Sequence, residues 1–253
     1  MHKQTSKPAT EPKRRNRLRH IAEQTLEVVE IGSYTLPNTN VSHDLSTRIE
    51  SLKTGTSYYA ADSLLSTWSA SPLQHVTFTP APAEISILEM STIEGAHLLR
   101  SALASQGLTD KIGLLNFASA KNPGGGFING AQAQEESLAR SSTLYASLMT
   151  SSGQQFYTSH RRDPQAGYYS HAMIYSPGVI FFRDDEGGWT EPLEADVLVS
   201  AAVNAGVARR AGEGAEVRIE AAMRERMARV LFLFSQQGVR NVVLGSFGTG
   251  VFR

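Results

Sequence analysis

Two adjacent carboxylates, Glu135 and Glu136, open an amphipathic pattern that runs from about Gln134 to Leu148. Gln134 itself follows a Gly124–Gly125–Gly126 triplet by eight residues. Carboxyl groups suit acid–base work on a bond whose leaving atom needs a proton. Neighbouring helical residues point about 100° apart, so the two cannot share one role. One could hold hydroxyl groups while the other meets the bond being broken. The helix dipole favours anions in a first turn and lowers a carboxyl pKa, which opposes a general acid. An acid role therefore requires compensation from burial or from the neighbouring carboxylate. The plain alternative is that glutamates favour a first helical turn for the dipole alone.

The glycine triplet has no Cβ atoms, so its backbone can take positive φ and approach a ligand closely. Successive N–H groups in such a turn can form a nest that holds an oxyanion without net charge. A flexible hairpin turn is the ordinary reading. A second glycine-rich stretch, Gly245-Ser246-Phe247-Gly248-Thr249-Gly250-Val251-Phe252, follows the apolar run Asn241 to Leu244. Its spacing is G-x-x-G-x-G, which is not the dinucleotide fingerprint, and it has no phosphate-loop lysine. Paired with the first loop, it could close over one ligand, with Phe252 packed on a ribose or base. Asn116 could orient a ligand ribose or hold a buried turn. Asn204–Ala205–Gly206 could line the cleft or form a turn.

The elements that must position these groups are legible in outline. Apolar residues at helical spacing in Ile21 to Ile31 predict a helix that Gly32 stops. Residues 38 to 80 hold fifteen Ser or Thr and sparse apolar positions. They read as a poorly packed connector or an arm wrapped around the body, with one short helix at Leu64, Leu65 and Trp68. Strands are expected at Glu84 to Met90, Lys111 to Phe117, Ala172 to Phe182 (one or two, broken at Pro177–Gly178), Asp196 to Ser200 and Asn241 to Leu244. Helices are expected over Ile93 to Leu103, about Gln134 to Leu148, and Val217 to Gln236. The last has Ile219, Met223, Met227, Val230, Leu231 and Phe234 on its apolar stripe. Alternating strands and helices give an α/β fold with a mixed or parallel sheet.

Composition narrows the function classes. The chain has 253 residues, 41% hydrophobic and 19% charged, which suits neither a disordered nor a membrane-embedded protein. The absence of cysteine removes disulfides, thiolate metal sites and cysteine nucleophiles. No apolar run approaches the ~18 residues of a membrane helix, and the polar, basic N-terminus does not resemble a secretory signal. An intracellular place, cytoplasmic or nuclear, is expected. Seven histidines include none in H-x-x-x-H spacing, so His160 and His171 read as surface or core residues rather than metal ligands. Arg161–Arg162 and Arg209–Arg210 read as solvated, although either pair could meet a phosphate.

Net charge is zero, from 24 basic and 24 acidic residues. Residues 1 to 19 carry seven of the basic residues and one acid, which leaves a net −6 on the remainder. The body therefore lacks a field that recruits nucleic acid, and an anion would need local donors. The run KRRNRLR at 13 to 19 reads as a nuclear-import signal, a nucleic-acid arm or a solvated tail. A disordered tail over residues 1–19 is expected, then a single domain over 20–253, with an extension at 20–80 and a core at 84–253.

The stretch LNFASAKNPGGGFINGAQAQEESLARSSTLY resembles the signature of the microbial-type poly(ADP-ribose) glycohydrolases, a GGG loop followed by QEE. YSPGVIFFRDD at 175 to 185, VLVSAAVNAG at 197 to 206, VVLGSFGTGVF at 242 to 252 and the leading helix IAEQTLEVVEIGSY extend the resemblance over roughly residues 20 to 252. It implies a macrodomain-like three-layer α/β/α sandwich with a mixed sheet and an N-terminal helical extension. It also implies hydrolysis of ribose–ribose O-glycosidic bonds, with release of ADP-ribose.

By this resemblance Glu136 looks like the general acid, and Glu135 its partner on ribose hydroxyls. Gly124, Gly125 and Gly126 on one side, and Gly248, Thr249, Gly250, Val251 and Phe252 on the other, look like a diphosphate clamp. Gln134 and Asn116 join the ligand-binding set. The implied partners are poly(ADP-ribose) or ADP-ribose and ADP-ribosylated proteins. No metal, cofactor or membrane is implied, and nucleic acid only through the basic tail. The family pattern continues past the second loop with a further segment that includes a helix, so a chain ending at Arg253 is expected to be C-terminally truncated. The alternative to the enzyme is thus a non-catalytic or impaired ADP-ribose-binding module.

Overall fold

In a computed structural model of the protein, which describes residues 11–70, 83–162 and 167–250, the apolar runs assemble around one five-stranded mixed sheet. Its order is β3 (Ser57–Tyr59), β5 (Met173–Arg183), β6 (Trp189–Ser200), β4 (Ile112–Phe117), β7 (Asn241–Val243). β4 runs parallel to β6 and β7; β5 runs antiparallel to β3 and β6. β4 is apolar except at Asn116 because both faces are covered. On one face Leu114, Ile174 and Val197 pack against α3 (Thr92–Ser105), α4 (Gln134–Ser141), α5 (Leu144–Leu148) and α6 (Ser151–Arg162). On the other, Leu115, Tyr175 and Leu198 meet Val230, Leu233 and Phe234 of α8 (Ala215–Gln236). The result is the three-layer α/β/α sandwich that the resemblance implies. Along the chain, β6 is joined to α8 through the short α7 (Ala205–Ala208) and a 3-10 turn at Arg209–Ala211.

Several boundaries differ from the sequence reading, each for a physical reason. α1 spans Glu11–Ile31, so residues 11–19 are helical and not a disordered tail. Arginine and lysine are good helix formers, and Leu18, Ile21 and Ala22 bury one side of this turn against the body. The Ser/Thr-rich arm is packed. β1 (Ser33–Thr35) and β2 (Ser42–Asp44) form a hairpin, α2 (Ser46–Gly55) buries Ile49 and Leu52, and β3 enters the main sheet. The extension expected at 20–80 therefore contributes a strand to the core.

The strand expected at Glu84 to Met90 does not form. Ile85 is 82% and Ile87 94% exposed, and no strand among the described residues offers this segment a ladder. The helix expected over 134–148 is two, because Ser142 is extended and bridges to Phe181. Thr143 and Ile180 then exchange bonds in both directions. β5 continues through Pro177–Gly178 with a register shift there, and β6 begins at Trp189, not Asp196. In α8, Leu231 of the expected stripe is 48% exposed, and Leu233 is buried instead.

No helix among the described residues is long and apolar enough to cross a membrane.

Candidate active site

Both glycine loops leave the carboxyl ends of parallel strands, the edge where open α/β sheets bind ligands. The first follows β4 and the second follows β7, and Phe117 at the end of β4 joins them. A Cβ on Gly245 would lie 2.8 Å from Phe117 Cζ, and the Phe117 and Phe247 rings stand 5.4 Å apart.

Helix α4 is fastened to β4 by Gln134. Its side-chain oxygen accepts from Phe117 N (2.9 Å), and its Nε2 donates to Leu115 O (2.7 Å) and Thr92 Oγ1 (3.2 Å). Gln134 thus extends the ladder of β4, and its polar atoms are committed within the protein. The bolt aims the next two side chains. Glu135 turns inward and is 3% exposed. Its Oε2 accepts from Ser119 N (2.7 Å), and Asn116 Nδ2 reaches its Oε1 at 3.5 Å. Glu136 is half-buried, with Oε1 accepting from Gly126 N at 2.9 Å; its other oxygen has no hydrogen-bond partner among the described residues.

The triplet is the reason both carboxylates fit. Gly125 has φ +60°, and a Cβ there would collide with Glu136 Oε1 and stand 3.1 Å from Glu135 Oε2. Gly124, at φ +66°, is closed off by Phe127 and Ala139. The amides do not form the open nest expected from the sequence. Gly125 N donates to Asn122 O, Gly126 N donates to Glu136, and the Gly124 N–H acts on Glu135. The triplet therefore holds the acids in place and offers a surface without side chains. Unengaged amides lie in the second loop. There Phe247 N and Thr249 N close turns onto Gly245 and Ser246, whereas Gly248 N and Gly250 N have no hydrogen-bond partner among the described residues. Gly248, at φ +82°, sits against Met223 and Ala202. Val251 and Phe252 lie outside the described residues.

The other sequence candidates make these contacts within the fold. Asn116 is fully buried beneath Glu135, with its Oδ1 unpaired. Asn204 caps α7 by accepting from Val207 N. His160 is buried with both ring nitrogens bonded, to Phe156 O and Ser170 Oγ. Burial and the neighbouring Arg226 push His171 down to about 4. Arg161 donates twice to Lys121 O at the entry to the triplet, and Arg209 pairs with Glu216. Three contributors had not been singled out. Arg140, one turn beyond Glu136, clamps Ala131 O at the far end of the loop (2.6 Å). Thr25 of α1 donates to Arg140 O. Tyr157 places a buried, unpaired hydroxyl where it feels the Glu135 charge. The helical spacing of Arg140 from Glu136 was a usable signal; nothing in the sequence pointed to Thr25 or Tyr157.

Burial pushes the Glu135 carboxyl up to about 8; the Ser119 N–H opposes this and the adjacent Glu136 charge adds to it. In the unfolded chain the group returns to an ordinary 4.5. Between those values the folded state holds a proton that the unfolded state has lost, so this residue makes stability fall as pH rises through the window. Glu135→Gln should flatten that dependence. Urea unfolding from about pH 5 to about pH 9 is expected to show a smaller decline for the variant than for the parent; equal declines would contradict the raised pKa.

A carboxylate pair wedged against side-chain-free backbone, at the carboxyl edge of a three-layer α/β/α sandwich, defines a macrodomain-like hydrolase. The chain belongs to the microbial-type poly(ADP-ribose) glycohydrolases, whose catalytic-domain family model matches residues 22–184. The chain is similar to the crystal structure of poly(ADP-ribose) glycohydrolase from Thermomonospora curvata, at 37% identity and a TM-score of 0.84, over 94% of this chain and 82% of that one. The same enzyme bound to the inhibitor ADP-HPD matches at 37% identity and a TM-score of 0.81, over 94% and 82%. The Deinococcus radiodurans enzyme in complex with ADP-ribose matches at 33% identity and a TM-score of 0.70, over 81% of this chain and 78% of that one. No curated protein is similar to the chain at a significant level.

Proposed function

We propose that this poly(ADP-ribose) glycohydrolase cleaves the ribose–ribose bond with Glu136 as proton donor, while Glu135 is the buried partner that places the ribose. The observation that carries the assignment is the unequal commitment of the two acids. Glu135 is almost wholly buried and both its oxygens are engaged, whereas Glu136 has one oxygen pinned by the Gly126 N–H and one free. A pinned group with a free oxygen can deliver a proton in a fixed direction.

The ligand class follows from the D. radiodurans relative, which is described in complex with ADP-ribose. Its diphosphate suits the two unengaged amides of Gly248 and Gly250, and the adjoining ribose suits the bare backbone of Gly124–Gly126. In the reaction, the proton of Glu136 passes to the leaving ribose oxygen as the bond from that oxygen to the anomeric carbon breaks. The oxocarbenium-like centre takes a water molecule, whose proton returns to Glu136. Two carboxyls on opposite sides of the bond are the usual arrangement for such chemistry. Here both come from one helical turn, so a single residue serves as acid and then as base.

Incubation with poly(ADP-ribose) tests the reading. Time-dependent release of free ADP-ribose is expected; binding of the polymer without release would leave an ADP-ribose-binding module and refute the proposal.

A further inference from the structure

The basic run at 13 to 19 is not absorbed by the chemistry above, yet the fold carries it to the site. α1 lies against the end of the first glycine loop. Arg15 Nε donates to Asn129 O at 2.8 Å, and a Cβ on Gly130 would collide with Arg15 O and stand 3.1 Å from Arg19 Cγ. Leu18 is buried, and Thr25 bonds Arg140 O. The helix is thereby fixed to the same loop and the same α4 that hold Glu136.

Its charges are nevertheless exposed and poorly compensated. Arg17 pairs with Glu186 across the surface. Lys13, Arg14 and Arg19 are exposed and make no ion pair or side-chain hydrogen bond among the described residues. Arg14 instead stands near enough to Arg140 to repel it. Five cations within seven residues, in the opening turns of a helix, oppose both the helix dipole and one another. Such an arrangement costs stability in the free protein, and an anion lying along it removes the cost. Since the remainder of the chain carries a net −6, this is where a polyanion gains attraction.

We propose that the exposed basic face of α1, represented by Lys13 and Arg14, is an extended subsite that binds the phosphates of polymer units beyond the two that share the bond being cleaved. The proposal rests on the reading of the substrate as poly(ADP-ribose), each unit of which contributes a diphosphate. The surface would then raise the affinity for long chains without touching the reacting bond. Phosphate contacts of this kind weaken steeply with salt, by roughly 0.7 in the log–log slope per contact on a single strand.

The test compares the parent with Lys13→Gln/Arg14→Gln on two substrates, long polymer and the two-unit oligomer. For long polymer KM is expected to rise about tenfold at low salt, with its salt slope reduced by about 1.4 for the two contacts removed. For the oligomer kcat and KM are expected to stay within twofold. Equal effects on both substrates, or none on either, would overturn the proposal. So would binding of single- or double-stranded DNA that depends on these residues while KM for long polymer is unchanged, which would assign the surface to nucleic acid. Failure of the parent to hydrolyse even the oligomer would instead contradict the proposed function.

Discussion

Replacement of Glu136 by glutamine is expected to lower ADP-ribose release by about 10³-fold, within the range that a lost general acid commonly costs. Glutamine retains a side-chain oxygen to accept from Gly126 N, so the loop should keep its conformation. The substitution removes the transferable proton and little else. Binding of ADP-ribose, followed by calorimetry, is therefore expected to stay within a few-fold of the parent. A kinetic split of this kind, with kcat lost and affinity kept, marks a group that acts in the transition state. Glu136→Gln with turnover near that of the parent would remove the proton donor from the account.

Substitution of Gly125 by alanine is expected to have the second-largest effect, though no reacting atom is changed. The residue sits at φ +60°, and a Cβ would occupy the space of Glu136 Oε1 while crowding Glu135 Oε2. The left-handed backbone alone costs an alanine roughly 1–2 kcal/mol. Glu136 must also swing away from the Gly126 N–H, and displacement of a catalytic group by about 1 Å can cost about 100-fold. Turnover should thus fall by about two orders of magnitude, while the melting temperature drops by only a few degrees for a chain of this size. Turnover within a few-fold of the parent would show that the glycine is a flexible turn and does not shape the acid pair.

That the glycine triplet and the glutamate pair lie near one another could be read from the sequence, but the hydrogen bonds that hold them could not. The glycine triplet and the glutamate pair lie close along the chain, and their spacing brings them together. Which way the amides of the triplet point depends on the φ and ψ of each glycine, and glycine leaves those angles open. In the folded chain those amides serve Asn122 and the two acids, whereas Gly248 N and Gly250 N have no partner among the described residues. Gln134 illustrates the same limit: spacing places it at the site but cannot show that its side chain completes β4.

For the fold, long apolar runs such as β4 and α8 were plain. The arm at 38–80 was obscured by its hydroxyl residues. Leu45, Ile49 and Leu52 recur there at helical spacing and are buried, but Ser and Thr around them dilute the pattern. The opposite error arose at Glu84 to Met90, where a strand-like composition has no neighbouring ladder among the described residues. The basic run was misplaced because charge suggests a solvated tail, whereas Leu18, Ile21 and Ala22 carry the anchoring.

The most direct test of the whole arrangement is a crystal structure of the protein soaked with ADP-ribose. The diphosphate oxygens should lie about 3 Å from the amide nitrogens of Gly248 and Gly250, with the distal ribose over Gly124–Gly126 and the free oxygen of Glu136 in contact with its anomeric end. A nucleotide lodged elsewhere would contradict the account; one such place is the depression at the opposite end of the sheet lined by Arg100, Lys111 and Asp196. A correctly seated diphosphate with Glu136 out of reach of the ribose would contradict it equally.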